Sequence, residues 1–278
     1  MVGRRFLKHR LALVGLSLLV VIALAAALAP YIAPYEPSRT DLRRIEEPPS
    51  VQHLLGTDQL GRDVLSRLLF GGRVSLMVGV VAALTTALFG TVLGLLAGFT
   101  GGRIDSFIMR VADVVMSFPM LPLAIVAVAI FGPGTFNIVL VAAVLMWPGL
   151  ARIVRSRCLA LREADFVQAA RAVGAGSMWI ISHHLLPNVF SLIVVWSTLN
   201  IAQVILLESG LSFLGLGVRI PTPTWGNMLT DAQSLRVLKG LPWLWLPPGG
   251  MIFVTVMSVN LVGDALRDAL DPFLKGRS

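Results

Sequence analysis

VSLMVGVVAALTTALFGTVLGLLAGF, residues 74–99, contains no acidic, basic or histidine side chain. It exceeds the roughly 20 apolar residues with which an α-helix crosses the hydrocarbon of a bilayer. Working outward from it, five more apolar stretches stand at 11–29, 111–131, 136–150, 189–207 and 249–262. The stretches at 136–150 and 249–262 are short for a span. Of the 278 residues 56% are hydrophobic and 14% charged, with a mean hydropathy of +0.81. A soluble domain carries about 25% charged residues. The charges present cluster between the apolar runs, because a charge at mid-bilayer costs about 2.5–3.5 kcal/mol on insertion scales. The expected fold is therefore an all-α polytopic membrane protein with six transmembrane helices.

Arg4, Arg5, Lys8 and Arg10 precede the first apolar stretch, which by the positive-inside rule places the N-terminus in the cytoplasm. An even number of spans returns the C-terminus there. The inner loops then hold Arg103 and Arg110, next Arg152, Arg155, Arg157, Arg162 and Arg171, and last Arg267, Lys275 and Arg277. The outer segment between the first two spans also carries Arg39, Arg43, Arg44, Arg62, Arg67 and Arg73, balanced by Glu36, Asp41, Glu46, Glu47, Asp58 and Asp63. A competing reading takes the first stretch as a cleaved signal peptide, since Ala27-Leu28-Ala29 has the small-x-small form; its apolar region is too long for that. The net charge of +8 is explained by this topology and by anionic lipid, without nucleic acid. Cys158 is the only cysteine, so no intrachain disulfide forms.

Glycine and proline recur in or beside the spans, at Pro119 and Pro122, Gly132-Pro133-Gly134, Pro148-Gly149, Gly215, Gly217 and Pro247-Pro248. They fit helices broken where a water-lined pathway satisfies the backbone, or closer helix packing through small residues.

Between the fourth and fifth stretches, residues 162–181 are polar enough to lie outside the bilayer. Phe166, Ala169, Ala170 and Val173 follow the i, i+3, i+4, i+7 spacing of one helix face. Gly174 ends that helix, Ser177 is placed to cap a second short helix carrying Met178, Trp179 and Ile181, and Pro187 breaks the chain before the fifth span. A cytoplasmic helix, turn and helix of this kind suits a groove in a partner protein, or alternatively rests on lipid headgroups.

Gln168-Ala169-Ala170, Gly174, Ile181 and Leu186-Pro187 resemble the spaced Glu-Ala-Ala, Gly, Ile, Leu-Pro signature of permease subunits from binding-protein-dependent ABC importers. Gln168 departs from the family's Glu, losing a charge but keeping length and a hydrogen-bonding amide. His53 to Asp58, Leu60 to Arg67, Leu211 to Gly217, Pro223 to Met228 and Asn260 to Pro272 narrow the resemblance to the second permease type of the dipeptide, oligopeptide and nickel branch.

The resemblance implies a type I importer (MetI-like) permease fold. It implies an N-terminal helix and extracytoplasmic segment over 1–70, and a permease domain over 71–278 with a coupling segment at 163–187. Phe166, Gln168, Ala169, Ala170, Gly174, Ile181 and Pro187 would then engage the ATP-hydrolysing subunit. The implied partners are a second homologous permease, two ATPases that bind ATP and Mg, and an extracytoplasmic binding protein that delivers cargo. This chain itself would hold no cofactor.

Other charged positions carry open readings. Asp58, Arg62, Asp63 and Arg67 alternate in sign at helical spacings, as on a solvated surface helix. Glu208, at the end of the fifth span, either lines the pathway or reaches the outer interface. Asp113 follows Arg110 by three residues and either pairs with it or serves gating. Asp264, Arg267, Asp268 and Asp271 anchor the sixth span or contact an ATPase.

No Gly-x-x-x-x-Gly-Lys-Ser/Thr stretch is present to cradle ATP phosphates. No His-x-x-x-His or Cys pair offers metal ligands, and His183 and His184, being adjacent, point to different faces of a helix. A self-sufficient secondary transporter or channel is the alternative from another class, although ionisable residues within spans and repeated halves are not clear. An intramembrane enzyme would need a nucleophile and base at membrane depth, and no histidine matches the scattered Ser and Thr.

Overall fold

A computed structural model describes residues 9–270. Arg4, Arg5, Lys8, Asp271, Pro272, Lys275 and Arg277, used above for topology, the family match and the C-terminal anchor, lie outside the described residues. Helix α1 (Arg10–Ala27) is followed by the short α2 (Ala29–Ile32) and a structured outer segment. Then come α3 (Val64–Thr100), α4 (Gly102–Ser117), α5 (Met120–Phe131) and α6 (Thr135–Arg162). Helices α7 (Asp165–Ala172) and α8 (Ser177–Ile180) lead through a π turn (Ile181–Leu185) into α9 (Leu186–Phe213). Two one- to two-turn helices, α10 (Trp225–Met228) and α11 (Leu235–Gly240), precede α12 (Pro242–Leu270). Among the described residues five helical bodies are long and apolar enough to cross a membrane, and the α4–α5 pair makes a sixth if counted as one.

That pair corrects the third expected span. Instead of one helix over 111–131, α4 and α5 meet at 96°. Pro119 supplies no backbone N–H and forces Phe118 before it into an extended conformation (φ −98°, ψ 142°), so the helical ladder stops. The short fourth and sixth stretches grow to 28 and 29 residues, because α6 continues through Pro148 and α12 through Pro247 and Pro248. Proline therefore breaks the bundle at Pro119 and not at these three positions.

The α3–α6 contact is the most extensive between two helices, and glycine explains it. Gly90, Gly94 and Gly98 stand at successive four-residue intervals on the face of α3 that meets α6. A Cβ at Gly94 would lie 2.7 Å from the Ala151 carbonyl oxygen, and one at Gly98 would lie 2.7 Å from Cys158 Cβ. Without a hydrophobic force between helices in lipid, such close backbone approach gathers the dispersion contacts that hold the pair. Leu150, Val154 and Cys158 on α6 are fully buried along this seam.

The first helix is part of the same bundle. Ala12, Gly15, Ile22 and Ala26 are its buried positions, and a Cβ on Gly15 would stand 3.0 Å from the Ser258 carbonyl oxygen of α12. Helices α3, α9, α10 and α12 share a further core in which Leu68, Ile205, Trp225 and Ile252 come together.

Candidate functional site

Between α6 and α9, α7 and α8 form the expected helix, turn and helix. Gly174 ends α7 with φ +85°, a left-handed conformation that glycine takes without Cβ strain. The Ala175 N–H donates to the Ala170 carbonyl at 3.0 Å and closes the turn. Gly176, not Ser177, occupies the cap position of α8, so the expected serine cap is not formed.

The apolar stripe divides in two. Val167 and Ala170 are buried against Leu161, Ile180, Leu185 and Val189, which fixes the segment to the ends of α6 and α9. Phe166, Ala169 and Val173 point away, as do Met178 and Trp179, with Val173 85% and Met178 75% exposed. Ala170 thus anchors the segment and does not belong to its outward face. The amide Nε2 of Gln168 donates to the Arg162 carbonyl at 3.1 Å, a bond that a carboxylate could not donate.

Ile181 opens the π turn, and Pro187 stands in the first turn of α9. The wider turn lets the helix pass Pro187, so residues 177–213 run on as one body where a break was expected. Trp179 stacks on His183 with ring centroids 4.8 Å apart and meets His184 edge-on at 5.1 Å. Both histidines belong to the surface around this turn.

On the opposite side, Glu208 reaches no interface. It is fully buried, and its Oε1 accepts from the Ser212 hydroxyl at 2.7 Å while Oε2 lies 3.4 Å from the Ser75 hydroxyl. The Trp225 backbone N–H donates to Ser75 Oγ at 3.2 Å, and the Trp225 indole donates to the Leu68 carbonyl at 3.0 Å. Glu208 thereby helps bind α10 into the junction of α3 and α9. Thr224 and Asn227 cap α10 reciprocally: the Thr224 hydroxyl accepts from the Asn227 N–H and Asn227 Oδ1 accepts from the Thr224 N–H, both at 3.0 Å. The sequence signals this cap only in part, since Thr224 suits the cap position but Asn227 stands where the usual capping box has Glu or Gln.

The charges over 58–67 also differ from expectation. Asp58, Arg62, Asp63 and Arg67 are all buried and do not form a solvated helix. Asp58 sits in a turn where its Oδ1 accepts from the Leu60 and Arg62 N–H groups, and its Oδ2 accepts from Arg62 Nε at 2.7 Å. Asp63 caps α3 by accepting from the Ser66 N–H at 2.7 Å, while His53 Nδ1 lies 2.9 Å from its other oxygen. Turn geometry at Gly56 and Gly61, with φ +71° and +70°, replaces the helical register on which the expectation rested.

Asp113 pairs with Arg152 of α6 and not with Arg110. Asp105, one end of α4 away, binds Arg155 of α6 in a two-pronged pair whose Nη2–Oδ2 separation is 2.6 Å. The 96° bend turns α4 across α6, which brings these acids to arginines some 40 to 50 positions later. Asp113 therefore acts as a helix–helix tie in this arrangement.

Residues 90–276 match the family model described as binding-protein-dependent transport system inner membrane component. The chain belongs to this family. Residues 1–49 match a second model, the N-terminal transmembrane domain of oligopeptide transport permease C. A putative peptide permease protein of Brucella suis is 44% identical over 270 residues, covering 97% of this chain and 89% of that one. The glutathione transport system permease protein GsiD of Pectobacterium atrosepticum is 44% identical across 98% of this chain and 90% of its own length. The oligopeptide transport system permease protein OppC of Bacillus subtilis is 40% identical across 98% and 88%. Among solved structures, an inward-facing MetNI methionine ABC transporter chain matches with a TM-score of 0.58 and 18% identity, covering 74% of this chain and 97% of that chain. That likeness confirms the fold, an all-helical type I importer permease. The chain is a multi-pass ABC transporter permease of the peptide-transport branch.

Proposed function

We propose that the chain forms one half of a pathway for peptides across the cytoplasmic membrane, switched between its two sides by partner ATPases. The observation that carries this is the exposed apolar face of Phe166, Ala169, Val173, Met178 and Trp179 on a helical turn tied to α6 and α9. A push on that face is transmitted to two long spans, because Val167, Ala170 and Ile180 are packed into their ends. Both termini lie in the cytoplasm in this reading, in keeping with the distribution of arginine. A second homologous permease completes the pathway, two ATPases hold ATP and Mg, and an extracytoplasmic binding protein presents the cargo. Peptide is the cargo class that the relatives' names support.

The test is reconstitution of the assembled importer in liposomes with labelled di- and oligopeptides. ATP enclosed on the ATPase side should drive uptake that stops when a non-hydrolysable analogue replaces it. Uptake by this chain alone, driven by an ion gradient without ATP, would instead establish a secondary transporter.

A further inference from the structure

Near the outer end, a cavity of about 570 Å³ lies between the first turn of α3, the end of α9 and the loop that follows it. Its volume is in the range of small-ligand sites, roughly 300–1,000 Å³. Asp58, Arg62, Arg67, Arg219 and Asp231 line it, so three guanidinium groups face two carboxyl groups. Arg62 and Arg67 are themselves about nine-tenths buried. Arg62 commits its Nε to Asp58 at 2.7 Å, and among the described residues its two η nitrogens have no hydrogen-bond partner. Arg67 shares the same Asp58 oxygen at 3.4 Å. One buried acid is thus divided between two buried cations beside an open space, and the excess of one positive charge suits a monoanion.

We propose that this cavity receives the free carboxylate terminus of a peptide, with the η nitrogens of Arg62 as the contacting donors. The inference rests on the peptide-importer reading and adds to it a point of recognition within the permease. The planar guanidinium fits a carboxylate through paired hydrogen bonds. Val218, Met228 and Leu244 supply apolar walls for the adjoining residue of the peptide. Asp231 competes with the carboxylate for the field of Arg62 and Arg67; burial first, and then Asp58, push its own carboxyl above the usual range.

The test compares Ala-Phe with its C-terminal amide in the reconstituted importer, using one binding protein throughout so that its own preference cancels between variants. Arg62→Gln should lower the ratio of kcat/KM for acid over amide by about tenfold, the worth of one charge-assisted hydrogen-bond pair. Arg62→Lys keeps the charge but loses the paired donors and should fall between the parent and Arg62→Gln, and Asp231→Asn should raise the ratio. Equilibrium titration of N-acetyl-Ala-Phe and its amide into the permease pair in nanodiscs gives the same comparison without transport. Equal affinities in the parent, or a ratio that Arg62→Gln leaves unchanged while both peptides slow alike, would overturn the inference and assign Arg62 to folding or to contact with the delivery protein. Absence of ATP-driven uptake of either peptide would count against the importer reading instead, and the nanodisc titration would still decide the cavity.

Discussion

Replacing Gly94 by alanine places a methyl group where α3 and α6 touch. The new Cβ would stand 2.7 Å from the Ala151 carbonyl oxygen and 2.8 Å from Val154 Cβ, against ordinary contact at 3.4 Å or more. Neither neighbour is a flexible side-chain end, so the helices must part by about 0.7 Å. A gap of about 0.5–1 Å forfeits a quarter to a half of each contact's attraction, and Gly90 and Gly98 sit one turn away on either side. Overpacking of this kind costs about 1–3 kcal/mol, offset by up to about 1 kcal/mol from the better helix propensity of alanine. The net loss expected is about 1–2 kcal/mol, and Gly94→Val should lose more. Gly250→Ala in α12 is the control, since nothing lies within 4 Å of its added methyl group. Unfolding in mixed micelles titrated with SDS, followed by circular dichroism, measures each variant. If Gly94→Ala proves as stable as Gly250→Ala, the close seam does not hold the bundle and the packing argument fails.

Asp105→Asn should release the two-pronged tie between α4 and α6; because Arg155 is about one-third exposed, the loss in the same titration should be about 1 kcal/mol. Gly174→Ala forces alanine into φ +85° with no steric neighbour, so it should cost about 1–2 kcal/mol from backbone strain alone. The Asp231 carboxyl is raised above its ordinary 3.8, so the penalty of ionising it in the fold is complete above its folded pKa and is relieved as pH falls toward the unfolded value. Asp231→Asn should therefore raise the thermal midpoint at pH 7, with the gain over the parent shrinking as both are measured toward pH 4; a gain that grows on acidification would contradict this sign.

Five of the six spans were legible because hydrophobic length is a direct requirement of the bilayer, and the turn at 166–181 because Gly174 and a period of about 3.6 mark it locally. What escaped depends on partners far apart in sequence. Nothing around Asp113 shows that a bend at Pro119 will turn it toward Arg152, and the nearer Arg110 is the natural choice from spacing alone. The alternating charges from Asp58 to Arg67 carry helical spacing, yet Gly56 and Gly61 set a turn that folds them inward. Glu208 looks like an acid at a membrane boundary until Ser75, with Trp225 bonded behind it, is brought from two other elements to join Ser212 of its own helix. Proline was a poor guide by itself: Pro119 breaks a helix, whereas Pro148, Pro247 and Pro248 stay within theirs. The division of the apolar stripe at 166–173 likewise follows from where α6 and α9 end, which no local pattern contains.

The most direct measurement concerns the outward face of that turn. The tagged chain, isolated from its native membrane with its partners, should bring ATPase activity with it. Val173→Glu and Ala169→Arg place charge on exposed positions and should leave the fold within about 0.5 kcal/mol of the parent. Both variants, folded and inserted, should lose most of the co-isolated ATPase activity. Full retention of that activity by both would show that the ATPases do not meet this face, and would contradict the proposed route by which ATP hydrolysis moves the spans.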